Sequence, residues 1–251
     1  MKYCLIVIVL VLFCPNTAFA TEAFQDSLSA DELFQKGLDL FEGRQVDKDI
    51  PAALQVWKQA ADSSHVQAMF NLGVVYANGL EVPPDPDLAI KWFSRAAELG
   101  DSDSMFNLGA LYGDRDLAVM DSLKAVHWFE RASEAGDFRA QLNLGSMYEN
   151  GDLVEADSIK AAEWYLRAAK QGVGEAQLKI GRWYCRDGVF SRNPMLAYVW
   201  LWLGSVNTRN ETGLIFDDDL RACEEQLDDR QIDQARAVIE AVMECYERNR
   251  L

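Results

Sequence analysis

Histidine is nearly missing from this chain, which has two in 251 residues, His65 and His127. Neither has a serine or cysteine at a spacing that would build a nucleophile with its base, so triad-type hydrolysis finds no support. Both are expected at the surface, His65 in a turn and His127 beside Trp128. Cysteine is also sparse, at five, and no two stand at metal-ligand spacing, which argues against a zinc site. Positive charge is in short supply: 24 Lys and Arg face 40 Asp and Glu, a net charge of −16. That balance disfavours non-specific nucleic-acid binding, which needs cations on phosphates, and docking on anionic lipid; its plain meaning is solubility. The carboxylates mostly suit helix caps or exposed faces, and no acid/base pair can be singled out. Glycines are spread out rather than clustered as in a phosphate-cradling loop. No catalytic residue, cofactor or metal is therefore expected.

Long apolar runs are missing too, except at the start. Lys2, the apolar run from Tyr3 to Cys14, Pro15 and then Ala18-Phe19-Ala20 stand in the order of a secretory leader, with cleavage expected after Ala20. The run is shorter than the roughly 20 residues a membrane-crossing helix needs. Residues 1–20 are thus expected to be a signal peptide, making the chain exported, to the bacterial periplasm first and the extracellular space second. Removing them leaves Cys185, Cys223 and Cys245 in an oxidising compartment. At most one internal disulfide can form among three, and spacing does not choose the pairing. Asn210-Glu211-Thr212 matches a glycosylation sequon, which matters only in a eukaryotic source.

What is present is a period. Gly37, Gly73, Gly109, Gly145 and Gly181 stand 36 residues apart; Ala53, Ala89, Ala125, Ala161 and Ala197 keep the same step, as do Tyr76, Tyr112, Tyr148 and Tyr184. Three series in one register define a repeat protein. In the second copy Met69, Leu72, Gly73 and Tyr76 share one face of a first helix, which Asn78-Gly79 ends through a left-handed residue. A second helix starts at a cap that also recurs, Asp49, Asp85, Asp121, Asp157 and Asn193, with Pro86 and Pro194 directly after two of them. It buries Ala89, Phe93 and Ala96 with Trp92 beside them, and the third and fourth copies repeat this as Ala125, Trp128, Phe129, Ala132 and as Ala161, Trp164, Tyr165, Ala168; the first copy has only the second aromatic, Trp57. Glycine on one helix and alanine on the other let the backbones approach closely, while the rings fill the gap.

The units differ in places. In the third, Arg115 stands where Gly43, Gly79 and Gly151 stand elsewhere and Gly113 comes two places early, so that turn is expected to differ. In the fifth, "YVWLWLGSV" is apolar nearly all round, which calls for a cover. The tail from Asp217 to Arg248 reads as two helices separated at Asp228-Asp229, the second carrying Ile232, Ala235, Val238, Ile239, Val242 and Tyr246 on one side. A cap with a polar outer face is what an open stack requires.

These residues resemble the Sel1-like repeat family, relatives of the tetratricopeptide repeats. The resemblance is carried by "FNLGVVYANG", "FNLGALY" and "LNLGSMYENG", by Asp-x-x-x-Ala, Trp-aromatic and Arg-Ala-Ala, and by closing glycines such as Gly100, Gly136 and Gly172, over about residues 31 to 205. "LDDRQIDQARAVIEAVMEC" is similar to the terminal helix of many members. The resemblance implies an all-α fold, an α-α superhelix (solenoid) of five helix-turn-helix repeats at about 30–66, 67–102, 103–138, 139–174 and 175–205. Residues 21–29 would precede the repeats and capping helices at 206–251 would follow. It further implies an adaptor or scaffold, in envelope signalling, secretion or host interaction. A cysteine-rich branch linked to β-lactams carries a cysteine pair in each repeat; this chain has none, so that activity is not carried over.

A partner is expected on the first helix of each unit, opposite its buried face. The positions there are Asn71, Val74, Asn78; then Asn107, Ala110, Asp114; then Asn143, Ser146, Asn150, a polar ladder able to pair with an extended ligand's backbone. The alternative is that these asparagines are solvated or brace neighbouring helices. Lys179, Arg182 and Arg186 take the same positions in the fifth unit, where they could hold an acidic segment or a carboxyl terminus, or else simply balance nearby carboxylates. The expected function is an exported adaptor for a protein or peptide. The rivals are a permanent structural subunit of an envelope assembly and a cell-wall-acting enzyme.

Overall fold

A computed structural model describes residues 28–212 and 217–248; the leader at 1–20 and the side chains of the sequon at Asn210 lie outside the described residues. Among them there are twelve helices and no strand. Five hairpins come first: α1 (Ala30–Glu42) with α2 (Ile50–Asp62), α3 (Val66–Asn78) with α4 (Pro86–Glu98), α5 (Ser102–Gly113) with α6 (Ser122–Glu134), α7 (Phe138–Asn150) with α8 (Ser158–Lys170), and α9 (Gly174–Tyr184) with α10 (Pro194–Thr212). Then follow α11 (Asp217–Glu224) and α12 (Asp229–Arg248). The residues form two compact units, one ending at Ala68 and the other starting at Met69.

Each second helix begins as its cap dictates. The side chains of Asp49, Asp85, Asp121, Asp157 and Asn193 accept from the amide three residues on, at 2.9–3.1 Å. The same five residues close the turn behind them: their own amides donate to the carbonyls of Leu40, Tyr76, Tyr112, Tyr148 and Tyr184 at 2.8–2.9 Å. A fixed bond nine residues back holds the turn's width even where its sequence changes. In the third unit α5 stops at Gly113 and Asp114 is extended (φ −75°, ψ 114°), in place of the left-handed glycine seen at Gly43, Gly79 and Gly151. The Asp121 to Tyr112 bond survives that change.

Between hairpins the chain reverses through Gly100, Gly136 and Gly172, whose φ values of +85° to +94° suit residues without a Cβ. Ser64 takes the corresponding place in the first unit at φ +64°.

The glycine series fits the second helix's ring into the first helix's backbone. A Cβ on Gly37 would stand 2.3 Å from Trp57, on Gly73 2.5 Å from Phe93, on Gly109 2.7 Å from Phe129 and on Gly145 2.9 Å from Tyr165. These four rings are buried, and a second ring of the preceding turn meets three of them: Phe34 packs on Trp57, Phe70 on Phe93 and Phe106 on Phe129. The other aromatic of the second helix lies on the flank. Trp128 and Trp164 are half-buried, and a guanidinium three residues on covers each face, as it does at the more deeply buried Trp92: Arg95 at 4.8 Å, Arg131 at 4.7 Å and Arg167 at 4.4 Å.

From Met69 on, α4 packs on α5, α6 on α7 and α8 on α9. The last hairpin is closer still. Leu201 stands where the ring would be, and a Cβ on Gly181 would lie 2.9 Å from its backbone nitrogen, while one on Gly204 would lie 2.9 Å from that of Leu178. The apolar far side of α10 is covered as expected: Cys223, Ala235 and Ile239 complete its core, with Leu220, Leu227, Val242 and Met243 against it. Val238 departs from the expectation, because α12 turns it outward and leaves it 44% exposed; Met243 fills that stripe instead. Buried polar groups tie the cap down. The Gln177 amide donates to the carbonyl of Ala169 (3.0 Å) and to Tyr246 Oη (3.2 Å), and its oxygen accepts from Asn207 (2.8 Å).

His65 is a correction to the surface assignment. Its ring stacks on Phe34 at 4.5 Å, its Nδ1 accepts from the amide of Ala68 at 3.1 Å and its side chain is only 14% exposed. The residue caps α3 in the way that Asp101 and Asp137, one and two periods on, cap α5 and α7. His127 is exposed and edge-on to Trp128, as expected.

Candidate recognition groove

The 36-residue period places equivalent first-helix positions side by side, and between α5, α7 and α9 they enclose two adjoining pockets. One, of about 410 Å³, is lined by Arg139, Asn143, Ser146, Glu149 and Asn150 of α7, Tyr165 of α8, and Glu175 and Lys179 of α9. The other, of about 290 Å³, is lined by Ala110, Gly113, Asp114, Phe129, Asn143, Ser146 and Asp152 among others. Asn143 and Ser146 belong to both, so the two form one continuous groove across three first helices.

The polar ladder is only partly assembled there. Ala110, Asp114, Asn143, Ser146, Asn150 and Lys179 line the groove; Asn71, Asn78, Asn107, Arg182 and Arg186 do not. Most of the asparagine amides are committed locally, Asn78 to the carbonyl of Val74 (3.1 Å), Asn107 to that of Asp103 (2.8 Å) and Asn150 to Ser146 Oγ (3.1 Å). Asn71 is half-buried on α3. Asn143 is the ladder asparagine at the centre of the groove.

The basic set of the fifth unit is split up. Lys179 stays in the groove, with Nζ 2.9 Å from Glu149 Oε2 and 5.7 Å from the Tyr165 ring centre. Arg182 donates to Asp219 of α11 at 3.0 Å. Arg186 is exposed beyond the end of α9. The three therefore do not form a single anion site.

Three groove residues carried no sequence signal strong enough to single them out. Arg139 is paired with Asp137 and with Asp103, and its guanidinium lies 4.5 Å from the Phe106 ring centre. Its hydrogen bond to Asp137 above all, then that to Asp103, holds its pKa above the arginine range, so it is a permanent cation at the wall of the groove. Asp103 and Arg139 stand 36 residues apart, at one position of consecutive units, and this change of sign in register was the available hint. Tyr165 donates its hydroxyl to Glu149 at 3.1 Å; burial, then the Glu149 charge, raises its pKa well above the tyrosine range, so it remains a donor. Glu149 in this way gathers Tyr165 and Lys179 on one carboxylate oxygen, Oε2. The groove offers amide, hydroxyl and paired charges to a ligand backbone. Among the described residues no three His, Cys, Asp or Glu side chains gather as a metal site would require.

Stacked helical hairpins with this spacing define the α-solenoid class of repeat protein. The Sel1 repeat model matches residues 33–65, 66–101, 102–137, 138–173 and 174–201, and the chain belongs to the Sel1 repeat family. Several solved structures are similar to it, among them two at more than a quarter identity. One is a protective antigen of uropathogenic Escherichia coli with an SLR fold, 28% identical over 87% of this chain at a TM-score of 0.64; this chain spans 46% of that protein. The other is a Sel1 repeat protein from Oxalobacter formigenes, 27% identical over 84% of this chain and 88% of the other, at a TM-score of 0.60. No curated protein matches the sequence. Sel1 repeat proteins are a scaffold type that in general serves protein–protein interaction rather than catalysis.

Proposed function

We propose that this chain is an exported adaptor that holds an extended segment of a partner protein in the groove across α5, α7 and α9. The observation that supports this most is the pair of adjoining pockets sharing Asn143 and Ser146. A peptide laid across three equivalent helices meets an amide, a hydroxyl and a charged pair in turn, chemistry that suits a polypeptide backbone better than a small substrate. Lys179 serves the acidic side chains of such a segment, and Asn150 adds to the contact from the end of α7. Asn71, Asn78, Asn107, Arg182 and Arg186 contribute only to a longer partner. The leader-like first 20 residues support export, with the periplasm of a bacterium as the first destination, and the acidic surface suits a protein partner rather than nucleic acid.

Site-specific photo-crosslinking in cells tests this. A photoreactive residue in place of Asn143 should give a discrete adduct with another protein, and one in place of the exposed Glu163 on α8 should not. Equal adducts from both positions, or adducts from Glu163 alone, would remove the groove from the account. Amino-terminal sequencing of the same material should begin at Thr21 if the leader is cleaved.

A further inference from the structure

We infer that Cys185 and Cys223 form a disulfide that fastens α11, the first helix of the cap, to the end of α9. The two sulfurs stand 3.0 Å apart, about 1 Å beyond the ~2.05 Å of a formed bond. Contacts that owe nothing to sulfur hold them there. Arg182, three residues before Cys185, donates to Asp219, four residues before Cys223; on the other side Arg192 donates to Gln226. Leu220 and Leu227, which bracket Cys223 on the chain, both pack on the α10 core. The pairing is thus set by a row of contacts along α11, and Cys223 sits 3% exposed within the apolar cluster under α10. Cys245 lies exposed on α12, outside this row. Spacing left three pairings open, and the fold selects one.

The chemistry needs an oxidant, and a disulfide donor R–S–S–R, whether a small molecule or a thiol–disulfide oxidoreductase, supplies it. Cys185 is the more accessible of the two; burial above all, then the hydrogen bond with Cys185, raises the pKa of the Cys223 thiol and makes it the poorer first nucleophile. Cys185 therefore gives its proton to solvent and its thiolate attacks one donor sulfur, which breaks the donor S–S bond and releases R–S⁻. Cys223 then loses its proton and attacks the Cys185 sulfur of the mixed disulfide, forming the Cys185–Cys223 bond and expelling the second R–S⁻. Both leaving thiolates take up protons, so the two cysteines lose two electrons together and the donor gains two. The closed loop spans 38 residues, and it restrains the cap chiefly by removing open conformations of that stretch.

The test uses the full chain, reduced and then equilibrated with oxidised and reduced glutathione, alkylated, digested without reductant and analysed by mass spectrometry. A peptide joining Cys185 to Cys223, with Cys245 alkylated, is the expected product. Amide exchange across α11 should then be about tenfold slower in the oxidised than in the reduced protein, a difference that disappears in Cys185→Ser. The inference is overturned by a bond from Cys245 to either partner, by separate glutathione adducts on both cysteines, or by two alkylatable thiols at a ratio that oxidises ordinary structural pairs. The mass-spectrometric result requires no variant, so a failure of Cys185→Ser to fold leaves the test intact.

Discussion

The contact between Gly109 and Phe129 fixes how closely α5 and α6 can lie, and Gly109→Ala measures it. The new Cβ would sit 2.7 Å from one ring carbon and 2.8 Å from two more, whereas carbons rest at about 3.5–4.0 Å, so backbone or ring must yield by at least about 0.8 Å. The ring has little freedom to move: Phe129 is 4% exposed, and Phe106 packs edge-on at 5.7 Å. Overpacking costs about 1–3 kcal/mol; an overlap this deep against a fixed ring belongs in the upper half of that range, about 2–3 kcal/mol, and alanine in a helix interior returns about 1 kcal/mol, which leaves a net loss of about 1–2 kcal/mol. For a chain of this size that lowers the melting temperature by about 2–8 °C, readable by calorimetry. Gly113→Ala is the internal control on the same helix. Its Cβ would lie 3.3 Å from a movable Leu153 methyl and 3.6 Å from Ala125, so stability should hold or rise slightly. Combining Gly109→Ala with Phe129→Leu should cost at least about 1 kcal/mol less than the two separate losses added. A Gly109→Ala protein as stable as its parent, or an additive double variant, would refute the argument that this approach is limiting.

Two further outcomes are expected. The Asp121 carboxylate, held below the usual aspartate range mainly by the amide of Lys124, lends stability that is full above about pH 4 and is lost as pH falls through its lower folded value; Asp121→Asn keeps a cap acceptor, so thermal melts from pH 7 to pH 2 should show a shallower acid decline, and an unchanged profile would contradict the linkage. Ser104 buries a hydroxyl with no hydrogen-bond partner among the described residues where Ala68, Ala140 and Ala176 stand in other units, so Ser104→Ala should raise stability by about 1 kcal/mol in urea titrations, and a loss would mean the hydroxyl is satisfied.

The features legible in the sequence were those that recur. The cap series Asp49 to Asn193, the glycines beneath the rings and the small residues of the second helices each follow from physics local to one hairpin, and five copies amplify a signal that one would bury in noise. What stayed hidden depends on contacts outside the period. The neighbour of Cys185 and the partner of Arg182 both lie on α11, whose place against α9 no spacing rule contains. His65 looked like an ordinary turn residue although it shares the register of the caps Asp101 and Asp137; its ring, stacked on Phe34, accepts from the amide of Ala68. Gln177, fully buried, stands where Met69 and Met105 stand in the second and third units and Gln141 in the fourth; both glutamines donate to the carbonyl eight residues back, and only the added bond to Tyr246, 69 residues further along, lies outside the period. The ladder was legible as a row of positions; that Asn78 and Asn107 turn their amides back onto their own helices depends on side-chain rotamers that sequence does not encode.

The glycine and the ring it accommodates lie 20 residues apart within one hairpin, and the cap that starts each second helix lies nine residues from the carbonyl that anchors it, within the same hairpin. A tandem duplication of 36 codons in the interior therefore delivers a fresh hairpin with its fastenings included, and no compensating change is needed in its neighbours. The fifth hairpin has surrendered that freedom: with Leu201 in the ring's place and its outer side shaped to α11 and α12, it can only be a terminus. Lineages carrying this architecture should lengthen or shorten from the middle, keeping one ending.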